Sequence, residues 1–130
     1  IQSLGAGAQL PDAQKNAFQA QARSYVSPWF RTFIQLDPAH YLRKVRCPVL
    51  ALNGDLDLQV DPEQNLPAIE RALREGGNRR VTIRRMTGLN HLFQKARTGL
   101  VTEYAEIEET FNPDALETIR KWLTDTIGRV

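Results

Sequence analysis

The stretch from Cys47 to Met86 constrains the fold more than any other part of the chain. "VLALN", residues 49–53, is an unbroken apolar run without alternation, the pattern of a strand covered on both faces in a parallel sheet. Gly54 interrupts it, and Asp55, Asp57 and Asp61 follow. Asp61-Pro62-Glu63-Gln64 then supplies an N-cap, a proline at the first helical position and an acidic first turn, with Gln64 where a capping box places its partner. Leu66, Ile69 and Leu73 recur at helical spacing, and Gly76-Gly77 predicts a stop near Glu75. "RVTIRRM" is the next strand. In it Arg80, Thr82 and Arg84 share one face and Val81 and Ile83 the other, as in a half-exposed strand near a sheet edge. Two strands joined through one helix predict a right-handed parallel β-α-β unit and an α/β fold class.

The remaining segments are assigned around that unit. Residues 1–10 mix Gly, Ala and Gln without a period and are expected to be a linker, followed by a helix from Pro11 to about Tyr25. Ser27 suits an N-cap and Pro28 the first helical position, with Trp29, Phe30, Phe33 and Ile34 forming a dense apolar face. A short helical piece is expected around 38–44. Residues 87–102 carry turn residues at Gly88, Asn90 and Gly99 and are expected to form a long loop, a kind that in compact domains is usually functional. Asn112 and Pro113 start a closing helix whose inner face is expected to be Leu116, Ile119, Leu123 and Ile127.

Composition narrows the partners. With 130 residues, 42% hydrophobic and 25% charged, the chain has the size and balance of one globular domain or a piece of a larger one. Seventeen basic against fifteen acidic side chains leave a net charge of +2, too little to require nucleic acid or an anionic membrane as partner. The local excess in "NRRVTIRR" reads as a half-exposed strand rather than a phosphate-binding stripe. No stretch approaches the roughly 20 apolar residues of a membrane span, and no signal-peptide pattern opens the chain. It begins on Ile1 rather than Met, which fits an excised or processed segment and leaves the compartment open. The lone Cys47 excludes an internal disulfide and is expected to behave as a small hydrophobe at the start of the apolar run. Two distant histidines and one cysteine make no metal ligand set, and no glycine loop for a phosphate-bearing cofactor is present.

Open parallel sheets carry functional loops at the carboxyl ends of their strands, and Asp57 and His91 both fall there. Strands about 5 Å apart bring side chains at such positions within hydrogen-bond reach. A carboxylate accepting from one imidazole nitrogen fixes the tautomer and stabilises the cation formed when the other nitrogen takes a proton. Asp61 is expected to be the N-cap of the following helix and His40 a surface histidine.

These motifs resemble the C-terminal part of the alpha/beta-hydrolase superfamily, and more closely its bacterial carboxylesterase-like members. "CPVLALNGDLDLQVDPEQNLPAIERAL" is similar to the family's acid-bearing strand, loop and helix, "GLNHLFQKARTG" to its histidine loop, and "EYAEIEETFNPDALETIRKWL" to its closing helix. "SPWFRTFIQLDP" is similar to the segment leading into them, so the resemblance spans about residues 25–127. It implies a three-layer α/β/α architecture with a short parallel sheet, residues 1–26 as linker and cap-derived helix, and residues 27–130 as the C-terminal part of the catalytic domain. It also implies Asp57 as the catalytic acid, His91 as the general base, Asp55 as a solvated loop residue at a position where the family tolerates other polar residues, no cofactor, and a carboxylic ester as the expected substrate, with thioester and peptide substrates not separated from it. Trp29, Phe30 and Phe93 are the expected lining of an apolar acyl or alcohol pocket.

The family's nucleophile sits in G-x-S-x-G, upstream of acid and base. Here the serines are Ser3, Ser24 and Ser27, and none stands between such glycines. Two readings follow. In one, the chain is the C-terminal portion of a serine hydrolase whose serine and oxyanion-hole amides lie elsewhere, each amide contributing about 3 kcal/mol to the transition state. In the other, it is a noncatalytic α/β module that binds a protein partner through its exposed sheet edge. In the first reading the missing part would have covered that edge, so self-association through it is expected of this chain.

Overall fold

The computed structural model describes residues 12–128, so the linker expected over residues 1–10 lies outside the described residues. The chain divides into two compact units, Ile1–Asp37 and Pro38–Val130. In the first, helix α1 spans Asp12–Tyr25 and α2 spans Pro28–Gln35. Ser27 caps α2, its hydroxyl accepting from Phe30 N at 3.1 Å, with Pro28 at the first position, where a missing N–H leaves nothing unsatisfied. Trp29 and Phe33 stack at 5.4 Å between centroids, and Tyr25 meets Phe30 edge-on at 5.1 Å. These rings contact one another rather than entering a core: α2 buries no side chain, and Trp29, Phe33 and Ile34 are all exposed.

The second unit is a mixed α/β fold on a small parallel sheet. Its elements are α3 (Pro38–Leu42), β1 (Val49–Gly54), α4 (Pro62–Glu75), β2 (Val81–Met86), a 3-10 helix (Val101–Glu106) and α5 (Pro113–Ile127). β1 and β2 pair in parallel from Val49↔Val81 to Gly54↔Met86, which places both carboxyl ends at the same end of the sheet. Alternation along a strand assigns the two faces. Asn53 and Arg85 point toward α4, where Asn65 donates to Asn53 and Glu63 pairs with Arg85. Thr82 points the other way and accepts from Trp122 Nε1 on α5 at 3.2 Å. Leu66, Ala72 and Leu73 of α4, Leu89 of the loop after β2 and Ala115 of α5 form the buried apolar core.

Three expectations are corrected here. β1 is half-buried along Val49–Leu52 and fully buried only at Asn53 and Gly54, because among the described residues it has one neighbouring strand. Cys47 is exposed, since it lies two residues ahead of the strand rather than within it. The inner face of α5 is also turned from the expected stripe. Ala115 is buried, Ile119 of the expected stripe is half-buried and Trp122 meets the sheet, whereas Leu116, Leu123 and Ile127 are exposed. Trp122 brings more contact area than a leucine together with an N–H that finds a partner, which fixes the helix rotation.

Two glycines let the loops above the sheet close on one another. A Cβ at Gly54 would stand 2.1 Å from the Leu89 carbonyl oxygen. One at Gly99, whose φ is +77°, would stand 1.9 Å from the Leu56 carbonyl oxygen. No other residue type fits either approach.

Candidate functional site

The acid loop begins where β1 ends. Asp55 N donates to Met86 O and Leu56 N to Leu89 O, both at 3.0 Å, so the chain leaving β1 is tied to the chain leaving β2. Asp55 itself is part of that tie, because its carboxylate accepts from Gly88 N at 2.6 Å. It is half-buried and engaged, not the solvated residue that the resemblance implies. Asp61 serves as the N-cap of α4, accepting from Glu63 N at 2.9 Å, while Gln64 contributes only its backbone N–H, to the Asp61 carbonyl.

Asp57 and His91 meet at 2.9 Å, Oδ2 to Nδ1. The Asp57 side chain is 5% exposed and that of His91 36%. Asp57 Oδ1 accepts from Gln59 N at 3.0 Å and Val60 N at 2.9 Å, and Oδ2 accepts a second bond from Asn53 Nδ2 at 2.9 Å. Burial alone pushes this carboxyl up. The N–H of Val60, the His91 ring and the N–H of Gln59 outweigh that effect and hold it below the ordinary aspartate value. An ionised carboxylate is acceptor-only, so His91 carries its proton on Nδ1 when neutral. Nε2, which has no hydrogen-bond partner among the described residues, keeps its lone pair.

The histidine loop is built by the residue before it. Asn90 is fully buried, and its Oδ1 accepts from Leu92 N at 2.9 Å and Gln94 N at 3.0 Å. That turn presents His91 on its outer side and forces Phe93 to a φ of +56°. Gln94 carries the brace onward, its amide donating to Glu109 O, while Phe93 O accepts from Asn112 N at 2.8 Å and the Phe93 ring stacks on Phe111 at 5.3 Å. The histidine loop is thereby fixed to the start of α5. A second knot lies beside it. Glu103, buried, accepts from the Thr98 hydroxyl and from the N–H groups of Gly99, Arg97 and Thr98, and these bonds, the Thr98 hydroxyl first, hold its carboxyl below the ordinary range. Gln59 Nε2 donates to Tyr104 Oη at 3.0 Å, joining the 3-10 helix to the acid loop.

Of the residues singled out in the sequence, Asp57 and His91 come together at the carboxyl ends of β1 and β2. Phe93 follows in the same loop. Trp29 and Phe30 belong to α2 in the other unit. His40 lies exposed on α3, its Nε2 2.8 Å from Lys44 Nζ. Sequence reasoning missed Asn53 and Asn65 and gave Asn90 only as a turn residue, and the signal for Asn53 was present: an amide closing an otherwise apolar strand needs a buried partner. Among the described residues no three His, Cys, Asp or Glu side chains group as a metal site, and no helix is long and apolar enough to cross a membrane. No family model, curated protein or solved structure matches the chain.

Proposed function

We propose that this chain supplies the acid, Asp57, and the base, His91, of a Ser-His-Asp triad in an alpha/beta-hydrolase acting on carboxylic esters, with the nucleophilic serine coming from outside this sequence. The observation that carries the reading is the 2.9 Å hydrogen bond in which the buried Asp57 carboxylate accepts from Nδ1 of His91, a histidine whose side chain is one-third exposed. A serine placed at Nε2 passes its proton there as Oγ bonds to the ester carbonyl carbon. Asp57 stabilises the imidazolium, which then protonates the departing alkoxide. Water, deprotonated by the same nitrogen, releases the acid and restores the serine. The contacts of α4 on one face of the sheet and of Trp122 on the other support the three-layer arrangement of that family. Phe93 and Phe111 supply an aromatic surface in and behind the histidine loop, which supports an apolar acyl or alcohol group in the substrate.

The test joins this chain to the serine-bearing part of its longer polypeptide. That protein hydrolyses a short-chain activated ester and is labelled by a fluorophosphonate, whereas this chain alone does neither. His91→Ala abolishes turnover, and Asp57→Asn lowers it by roughly 10⁴-fold through the wrong tautomer. Equal turnover with Asn at position 57 overturns the acid assignment. A second reading rests on the two-stranded sheet, in which each strand has one edge unpaired among the described residues. If the longer protein has neither nucleophile nor esterase activity, the module binds a protein partner by adding a strand to that edge.

A further inference from the structure

The oxygen of Asp57 that receives His91 receives one other donor, and that donor is not part of a triad. Asn53 Nδ2 reaches Asp57 Oδ2 at 2.9 Å and the Val60 carbonyl oxygen at 3.2 Å. Its Oδ1 accepts from Asn65 Nδ2, on α4, at 2.9 Å. Asn53 is 4% exposed, and every polar atom of its side chain is engaged. We infer that Asn53, oriented by Asn65, is a positioning residue that fixes the Asp57 carboxylate against His91. This rests on the proposed acid–base pair and adds to it the element that holds the acid in place.

The chemistry of the chain of contacts determines which way each amide points. Asp57 is ionised and can only accept, so the Asn53 atom facing it must be the nitrogen. The Asn53 oxygen is then left facing α4, where only a donor is acceptable, and Asn65 presents its own nitrogen. One carboxylate thus dictates the orientation of two successive amides. Turning either one over sets two acceptors or two donors against each other inside the protein, at a cost buried groups do not tolerate.

Geometry explains why the acid needs this support. The two backbone N–H groups of Gln59 and Val60 hold Oδ1 only, which leaves the carboxyl plane able to swing about that oxygen. Asn53 holds Oδ2, and with it the direction from which Nδ1 must approach. The second N–H of Asn53, on the Val60 carbonyl, binds the peptide that follows the same loop. A single side chain therefore closes the acid loop and aims its carboxylate, and α4 is the rigid body against which both are set.

The test uses the intact chain labelled with ¹⁵N-histidine. A proton on Nδ1 bonded to a carboxylate exchanges slowly with water and gives a resonance far downfield, which assignment through His91→Gln identifies. The unaltered chain shows that resonance. Asn53→Ala loses it while the backbone amide spectrum remains that of a folded protein, and Asn65→Leu, which leaves Asp57 untouched, keeps it but with exchange at least several-fold faster. A purely packing role for Asn53 would lower stability and leave the resonance of the folded molecules as it was. A folded Asn53→Ala with unchanged exchange at Nδ1 overturns the proposal. Should Asn53→Ala not fold, Asn65→Leu decides: faster exchange supports the role and unchanged exchange ends it. Absence of the resonance from the unaltered chain removes the Asp57–His91 pair itself, and the positioning role with it. Failure of the ester assay alone, with the resonance present, removes the hydrolase reading and leaves the Asn65–Asn53–Asp57–His91 geometry standing.

Discussion

Asp57 draws four donors around one carboxylate, and the sign of its pH dependence follows from that. Its value in the folded chain lies below the ordinary 3.8, so the unfolded chain binds the proton more readily. The stability it contributes is complete above that ordinary value and is lost as the pH falls through the folded one. Glu103, lowered in the same sense, adds to the trend. Urea unfolding at a series of pH values should therefore show the unaltered chain more stable than Asp57→Asn at neutral pH, with the gap narrowing below about pH 4; a gap that widens on acidification contradicts the assignment of charge. Asp55 gives the second expectation at this scale. Loss of its bond to Gly88 N in Asp55→Ala should cost about 1–3 kcal/mol and speed hydrogen exchange at the Gly88 amide. The pairing of Asp57 with His91 was legible because loops leaving the ends of neighbouring parallel strands bring their side chains within reach. Asp55 was not. Its partner is a backbone N–H 33 residues away that becomes available only after β1 and β2 align, and no side-chain pattern marks it.

At the level of elements, the starts of helices were read correctly at Ser27, Asp61 and Asn112 because a cap is a local bargain between one side chain and the next turn. The rotation of α5 was not, since its sequence offers two overlapping apolar stripes and the contact made by Trp122 decides between them. That choice is testable. Leu123→Gln, on the exposed stripe, should leave the thermal midpoint nearly unchanged, while Ala115→Leu, at a fully buried position, should destabilise by about 1–3 kcal/mol through overpacking. A reversed order of effects would restore the stripe expected from periodicity. Gly99→Ala is the sharper test of the loops. With φ at +77° and the Leu56 carbonyl in the way, the substitution should detach residues 97–104 from the acid loop, seen as faster exchange at the amides of Arg97, Thr98 and Gly99 that Glu103 now holds.

For the molecule as a whole, the parallel pairing of β1 and β2 was legible from one apolar run, one capped helix and a second strand, because that order admits few topologies. The half-burial of β1 was not, since periodicity reports what a strand is suited to and says nothing of how many neighbours it has. Two strands with open edges should associate with themselves, so sedimentation or size-exclusion profiles should shift to larger species as concentration rises. A single monomeric peak across a hundredfold dilution would mean the edges are protected. The register of that same pair has a practical consequence. Asp57 and His91 leave from different strands, and the turn at Gly77, between α4 and β2, has no atom within 4 Å of where a side chain would be. A polypeptide opened there becomes two pieces, one carrying the acid and the other the imidazole, and neither piece holds the pair. Reunion through the β1–β2 ladder would recreate it, which makes this unit a candidate for a split reporter whose signal is the return of a slowly exchanging imidazole proton.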